Sequence, residues 1–146
     1  MRYMLVLTYD EAEAAGRPPE PEIFEEMGRF NQAMVDAGVL LAGEGLAPSS
    51  QGAIVAFGDG EGEGEEPTVT DGPFTEVKEL IGGFWILTVD SLEEATGWAR
   101  RAPFRHGERV QVRRVFDPED FAGVAPDEVM EAEQRMREQT AEQHGS

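Results

Sequence analysis

The 146-residue chain has no cysteine. That excludes a disulfide framework and a thiolate metal site, and it suits a reducing, cytoplasmic setting. Positive charge is scarce: eleven arginines and one lysine, Lys78, face 30 acidic residues, for a net charge of −18. Nucleic-acid backbones bind through a positive footprint, so no nucleic-acid partner is expected. No apolar run approaches the roughly 18 to 20 residues of a membrane span. The opening residues from Arg2 to Tyr9 are too short and too alternating for a signal peptide, so no membrane partner is expected either. The only histidines, His106 and His144, lack metal-ligand spacing with another histidine, and neither a metal site nor a bound cofactor is expected. Gly58 to Gly64 lacks the Lys-Ser/Thr ending of a phosphate loop. Ser49-Ser50 stands in no nucleophile elbow and has no plausible base nearby in the chain.

What is present reads as one domain followed by a tail. Tyr3 to Tyr9 is a strand, with Tyr3, Leu5, Leu7 and Tyr9 on one side and Met4, Val6 and Thr8 on the other. Asp10 to Pro19 is a polar loop. Pro21 suits the first turn of a helix, and Ile23, Met27, Phe30 and Met34 recur at helical spacing up to a left-handed cap at Gly38. Val39 to Leu41 begins a second strand, which Gly43-Glu44-Gly45 interrupts as a bulge or close backbone approach. Ala53–Phe57 and Thr68–Thr70 form a hairpin whose glycine- and glutamate-rich connection, Gly58 to Pro67, is expected to be mobile. Phe84 to Val89 is a central strand. Ser91 with Glu94 opens a second helix as a capping box, and Pro103 closes it. Arg109 to Phe116 is the last core strand.

Residues 117–146 form an acidic extension, helical near 126–139 but with only a thin apolar stripe. Without the hairpin, the order strand, helix, strand, strand, helix, strand is the ferredoxin-like split βαβ arrangement of an α+β domain over residues 1–116. Its strands are apolar on both sides, yet two helices cover only one. The bare side would expose several hundred square ångströms of aliphatic surface, which a homodimer through the helix-free sheet face would hide.

The densest stretch runs from Thr70 to Val89. Asp71-Gly72-Pro73-Phe74, Lys78-Glu79 and Gly82-Gly83-Phe84 together resemble the DGPF branch of the YCII-related proteins. The opening Tyr3-Met4-Leu5-Val6-Leu7, the Ala37-Gly38-Val39-Leu40 turn and Gly43-Glu44-Gly45-Leu46 fit the same resemblance, which covers about residues 1–116. It implies a dimeric α/β-barrel built from two ferredoxin-like subunits. It also implies a family of mostly unknown activity, some of whose members accompany extracytoplasmic-function sigma factors. Roles proposed for relatives centre on a first-helix histidine and a carboxylate. Here Met27 holds the histidine's place, counting back from Gly38.

The candidate catalytic residues are Asp71, Lys78 and Glu79. Asp71 is either a turn former or a carboxylate at a pocket mouth. Lys78 supplies a compact, tunable charge that arginine does not, or else pins the loop through a salt bridge to Asp71 or Glu79. Glu44, Gly45, Gly72, Pro73 and Phe74 are the candidate ligand-binding residues. The six arginines from Arg100 to Arg114 face an anionic ligand or an acidic surface of a partner subunit on one reading; on the other, Arg100, Arg101 and Arg105 simply complement the end of a helix dipole. Two functions follow as expectations: a small-molecule pocket near the DGPF motif, with cofactor-free acid–base chemistry open to it, or a non-catalytic dimer serving regulation.

Overall fold

The computed structural model describes residues 1–62, 64 and 66–145. The mobility expected of the hairpin tip at Glu63 and Glu65 lies outside these residues. The chain divides into two units, Met1–Arg114 and Val115–Ser146.

The first unit is built on a four-stranded antiparallel sheet. Its strands are β1 (Arg2–Tyr9), β2 (Leu40–Gly45), β5 (Leu80–Thr88) and β6 (Arg109–Arg114), in the order β2-β5-β1-β6. Between β2 and β5 the chain makes β3 (Ala53–Ala56) and β4 (Thr68–Asp71), which pair only with each other. With helices α2 (Pro21–Asp36) and α3 (Leu92–Ala99), this is the ferredoxin-like α+β fold with an inserted hairpin. Alternation decides which side is buried. Tyr3, Leu5, Trp85 and Leu87 point to the helices and are buried with Phe30 and Met34 of α2 and Ala95 of α3. Leu5, Met34 and Leu87 are sealed from solvent.

The local expectations hold where side chains act on their own neighbours. Gly38 takes φ 71°, and the N–H groups of Gly38 and Val39 cap α2 through the carbonyls of Val35 and Met34. Ser91 Oγ accepts from Glu94 N and caps α3 as expected, while Glu94 Oε2 accepts from Asp90 N, one residue before the Ser91 N–H that a capping box would use. Three boundaries differ. The polar loop after β1 contains a short helix α1 (Glu11–Ala15), because Asp10 Oδ1 caps it by accepting from the N–H groups of Ala12 and Glu13 at 3.0 and 3.2 Å. β5 begins at Leu80, so the Gly82-Gly83 pair lies inside the strand. β2 runs unbroken through Gly43-Glu44-Gly45; its register shift comes earlier, between Leu40 and Ala42.

The second unit holds a 3₁₀ turn (Pro118–Phe121) and helix α4 (Asp127–His144), longer than the stripe of Val129, Ala132 and Met136 suggests. Pairs four residues apart support α4, Glu133 with Arg137 at 3.0 Å and Gln134 with Glu138 at 3.1 Å. Among the described residues no helix is long and apolar enough to cross a membrane.

Candidate functional site

The site is organised by a defect in the sheet. Leu7 pairs with Gly83 and Thr8 with Ile81, which leaves Gly82 as an extra residue on β5. This bulge bends the strand where β1 ends. Glycine is required by contact: a Cβ on Gly82 would lie 2.9 Å from the Tyr9 ring and 3.3 Å from Leu7 Cδ2. The Gly82 carbonyl accepts from Leu46 N at 2.9 Å and so ties down the chain leaving β2. Leu7 and Gly82 line both of two neighbouring cavities.

The larger cavity is about 580 Å³. β1 contributes Leu7 and Tyr9; α1 and the chain entering α2 contribute Glu13, Arg17, Glu20 and Ile23; the loop before β6 contributes Phe104 to Glu108. Leu7, Ile23 and Phe104 are apolar, and the remaining lining residues include charges of both signs. The smaller cavity is about 340 Å³ and lies along β2 and β5, where Met27 and Asn31 of α2 meet Gly43, Glu44, Gly45 and Trp85. Trp85 stands edge-on to Phe30, with ring centroids 5.6 Å apart, and donates its indole N–H to Asn31 Oδ1 at 2.9 Å. A Cβ on Gly43 would lie 2.9 Å from Trp85 Cδ1, so this glycine lets the edge strand close on the indole.

Beside the larger cavity, a hydrogen-bonded clasp joins three distant segments. The Glu11 carboxylate accepts from Tyr9 Oη at 3.2 Å, Ser49 N at 3.1 Å and Ser49 Oγ at 2.6 Å. Ser49 Oγ in turn accepts from Phe74 N at 3.0 Å. The DGPF turn therefore hangs on Ser49. Gly72 donates its N–H to the Gly52 carbonyl, and a Cβ at Gly72 would sit 1.7 Å from the Ser49 carbonyl oxygen, so only glycine fits there. The Gly72–Pro73 peptide is cis.

Donation from Ser49 holds the Glu11 carboxyl below its usual range, while burial and the neighbouring Glu11 push the Tyr9 hydroxyl up. A carboxylate so stabilised is a weak base. Ser49 is buried, and its hydroxyl is committed both as donor and as acceptor. The pair is built as a lock, not as a nucleophile with its base. The expectation that Ser49 has no acid–base partner nearby is corrected: Glu11, 38 residues away in sequence, is in direct contact with it. A capping signal, Asp10 followed by Glu13, marks α1 in the sequence, but nothing local marks its pairing with Ser49.

The residues singled out in the sequence scatter. Glu44 and Gly45 line the smaller cavity. Gly72 and Phe74 belong to the clasp, and Pro73 is exposed in its turn. Asp71 closes β4, paired in register with Ala53 and exposed. Lys78 is exposed, with no hydrogen bond or ion pair among the described residues, and Glu79 pairs with Arg109 at 3.1 Å. The expected bridge from Lys78 to Asp71 or Glu79 is not formed: Arg109, brought alongside by β6, takes Glu79 instead. None of these three lines either cavity. The aromatic residues Trp85 and Phe30 are core, as is Ala95 of α3.

Sheet order, the two helices between the strands and the inserted hairpin place the first unit in the ferredoxin-like class of small α+β domains. The chain belongs to the YCII-related domain family, whose match covers residues 1–119. It is similar to an uncharacterized protein of Rhizobium meliloti (strain 1021), 29% identical over 102 residues, 68% of this chain and 78% of that protein.

Proposed function

We propose that this YCII-related protein binds a small organic molecule at the Gly82 bulge, with the larger cavity as the main chamber and the cleft beside Glu44 and Gly45 as its annex. The observation that carries this reading is the 580 Å³ cavity, with an apolar base at Leu7, Ile23 and Phe104 beside charged side chains. Ligand sites have this size and this mix of surfaces. The reading is one of binding, because the Ser49–Glu11 pair is held in a form that favours neither nucleophile nor base. Asp71, Lys78 and Glu79, candidates for catalysis by sequence, are assigned to the surface outside the chamber. The test is Gly82→Ala, whose methyl drives the Tyr9 ring and Leu7 off their places. In a ligand-observed NMR screen of aromatic amines, acids and amides, binders of the wild type should weaken about tenfold or more on this variant. Unchanged binding would rule out the bulge as the site.

The partner is inferred to be a second copy. Register places Met4, Val6, Phe84 and Ile86 together on the side of the sheet away from the helices. Arg109, Gln111 and Arg113 flank them on β6, and Ala42 and Glu44 on β2. A two-fold axis along the strands would lay the arginine edge of one copy over the Glu44 edge of the other, burying the stripe and matching charge.

A further inference from the structure

We infer that the larger cavity selects an organic amine, a cationic head on an apolar body; this rests on the binding reading above and adds the sign of the ligand's charge. Four carboxylates, Asp10, Glu13, Glu20 and Glu108, line the cavity against two guanidinium groups, Arg17 and Arg105, with His106 beside them. Their commitments are unequal. Asp10 caps α1, and Glu108 Oε2 accepts from the backbone N–H groups of Arg105 and His106, both at 3.0 Å. Arg105 is paired with Glu26, a carboxylate outside the cavity lining, and that bond holds its guanidinium firmly in the charged form. Its charge is answered first by Glu26, and more weakly through space by Glu20 and Glu108. The side chains of Glu13 and Glu20 make no hydrogen bond or ion pair among the described residues, and both are exposed. Four carboxylates therefore face Arg17 and an Arg105 already paired with Glu26, in a chain whose net charge is −18.

The field at the opening thus attracts cations and repels anions. Inside, Leu7, Ile23 and Phe104 give an apolar body somewhere to go, and the Tyr9 and Phe104 rings suit an ammonium as well as a hydrocarbon. A carboxylate on the same body would meet Glu13 and Glu20, and would find of the two guanidinium groups only Arg17 without a carboxylate pair. The geometry therefore assigns Glu13 and Glu20 as the residues that recognise the head group.

Three probes on one indolylethyl body separate the sign of the head group from the body: tryptamine, indole-3-propionamide and indole-3-propionate, the last two isosteric. Titration calorimetry at low salt and neutral pH should find tryptamine bound about tenfold more tightly than the propionate, with the amide between them. Raising salt to about 0.3 M should narrow the ratio. The Glu13→Gln/Glu20→Gln variant changes two exposed side chains and should unfold with the wild type while losing most of the preference. Tightest binding by the propionate, or a preference that survives both substitutions, overturns the amine assignment but leaves the cavity a binding site. If none of the three probes shifts the NMR methyl signals of Leu7 and Ile23, the binding reading falls with it.

Discussion

The Glu11 carboxylate shows how a single side chain sets a pH dependence. Its hydrogen bonds from Ser49 and Tyr9 favour the ionised form, so the folded chain binds this proton less readily than the unfolded one. The stabilisation is complete above the ordinary carboxylate pKa, about 4.3, and is lost as pH falls through the lower folded value. Glu11→Gln should therefore melt below the wild type at neutral pH. The gap in thermal midpoint should close on acidification past about pH 4. A gap that persists in acid would mean that Glu11 does not hold Ser49 through its charge. Lys78 illustrates the opposite case. Its ammonium has no partner among the described residues, and the nearby Glu79–Arg109 pair is a surface contact of small worth. Lys78→Ala should change unfolding free energy by less than about 0.5 kcal/mol and leave probe binding at the bulge unaltered. A lost ligand on this variant would return Lys78 to the site.

Among the elements, the β3–β4 ribbon is the one least able to stand alone. All eight of its residues are exposed, and Val55 faces Val69 across it without covering either. A two-stranded ribbon is at best marginal in water. The clasp supplies an anchor at its base, through Gly72 N to the Gly52 carbonyl and Phe74 N to Ser49 Oγ. Gly72→Ala must push the DGPF turn off the Ser49 carbonyl, because both sides of that contact are backbone and neither can rotate away. The expected cost is about 1 to 3 kcal/mol. Hydrogen exchange should report it as faster exchange confined to residues 48–56 and 68–74. Uniform acceleration across the sheet would instead make the turn part of the global core. The bulge at Gly82 is the complementary device: it gives up one rung of the ladder and gains the space that both cavities share.

At the scale of the molecule, the proposed second copy is tested on the helix-free side of the sheet. Met4, Val6, Phe84 and Ile86 are partly exposed, and Arg109 and Arg113 lie across from Glu44. Ile86→Glu places a carboxylate in the centre of this stripe without touching the sealed core at Leu87. Light scattering coupled to gel filtration should give a dimer for the wild type and a folded monomer for Ile86→Glu. A monomeric wild type would remove the second copy from the proposal. A dimer untouched by Ile86→Glu would move the contact elsewhere.

Much of the architecture follows from patterns that act over a few residues. Alternation along Tyr3–Tyr9, the helical spacing of Ile23, Met27, Phe30 and Met34, and the caps at Gly38 and Ser91 are consequences of local geometry, so they can be read without the fold. With the order of those elements, they suffice for a ferredoxin-like sheet; the resemblance to the YCII-related proteins rests instead on the motifs from Asp71 to Phe84 and the segments that accompany them. The DGPF stretch is conspicuous for the same reason, but conspicuous turn chemistry marks a place and not a role. Its glycine leaves room for the Ser49 carbonyl, its Phe74 N–H donates to Ser49 Oγ, and its neighbouring charges lie outside both cavities. Only the tertiary structure brings Glu11 to Ser49, Arg105 to Glu26, and the chain around Glu13 and Glu20 to the loop before β6. Those are long-range pairings between polar side chains on loops and helix ends. They carry no periodicity, and their partners are chosen by how the sheet and helices set the intervening backbone.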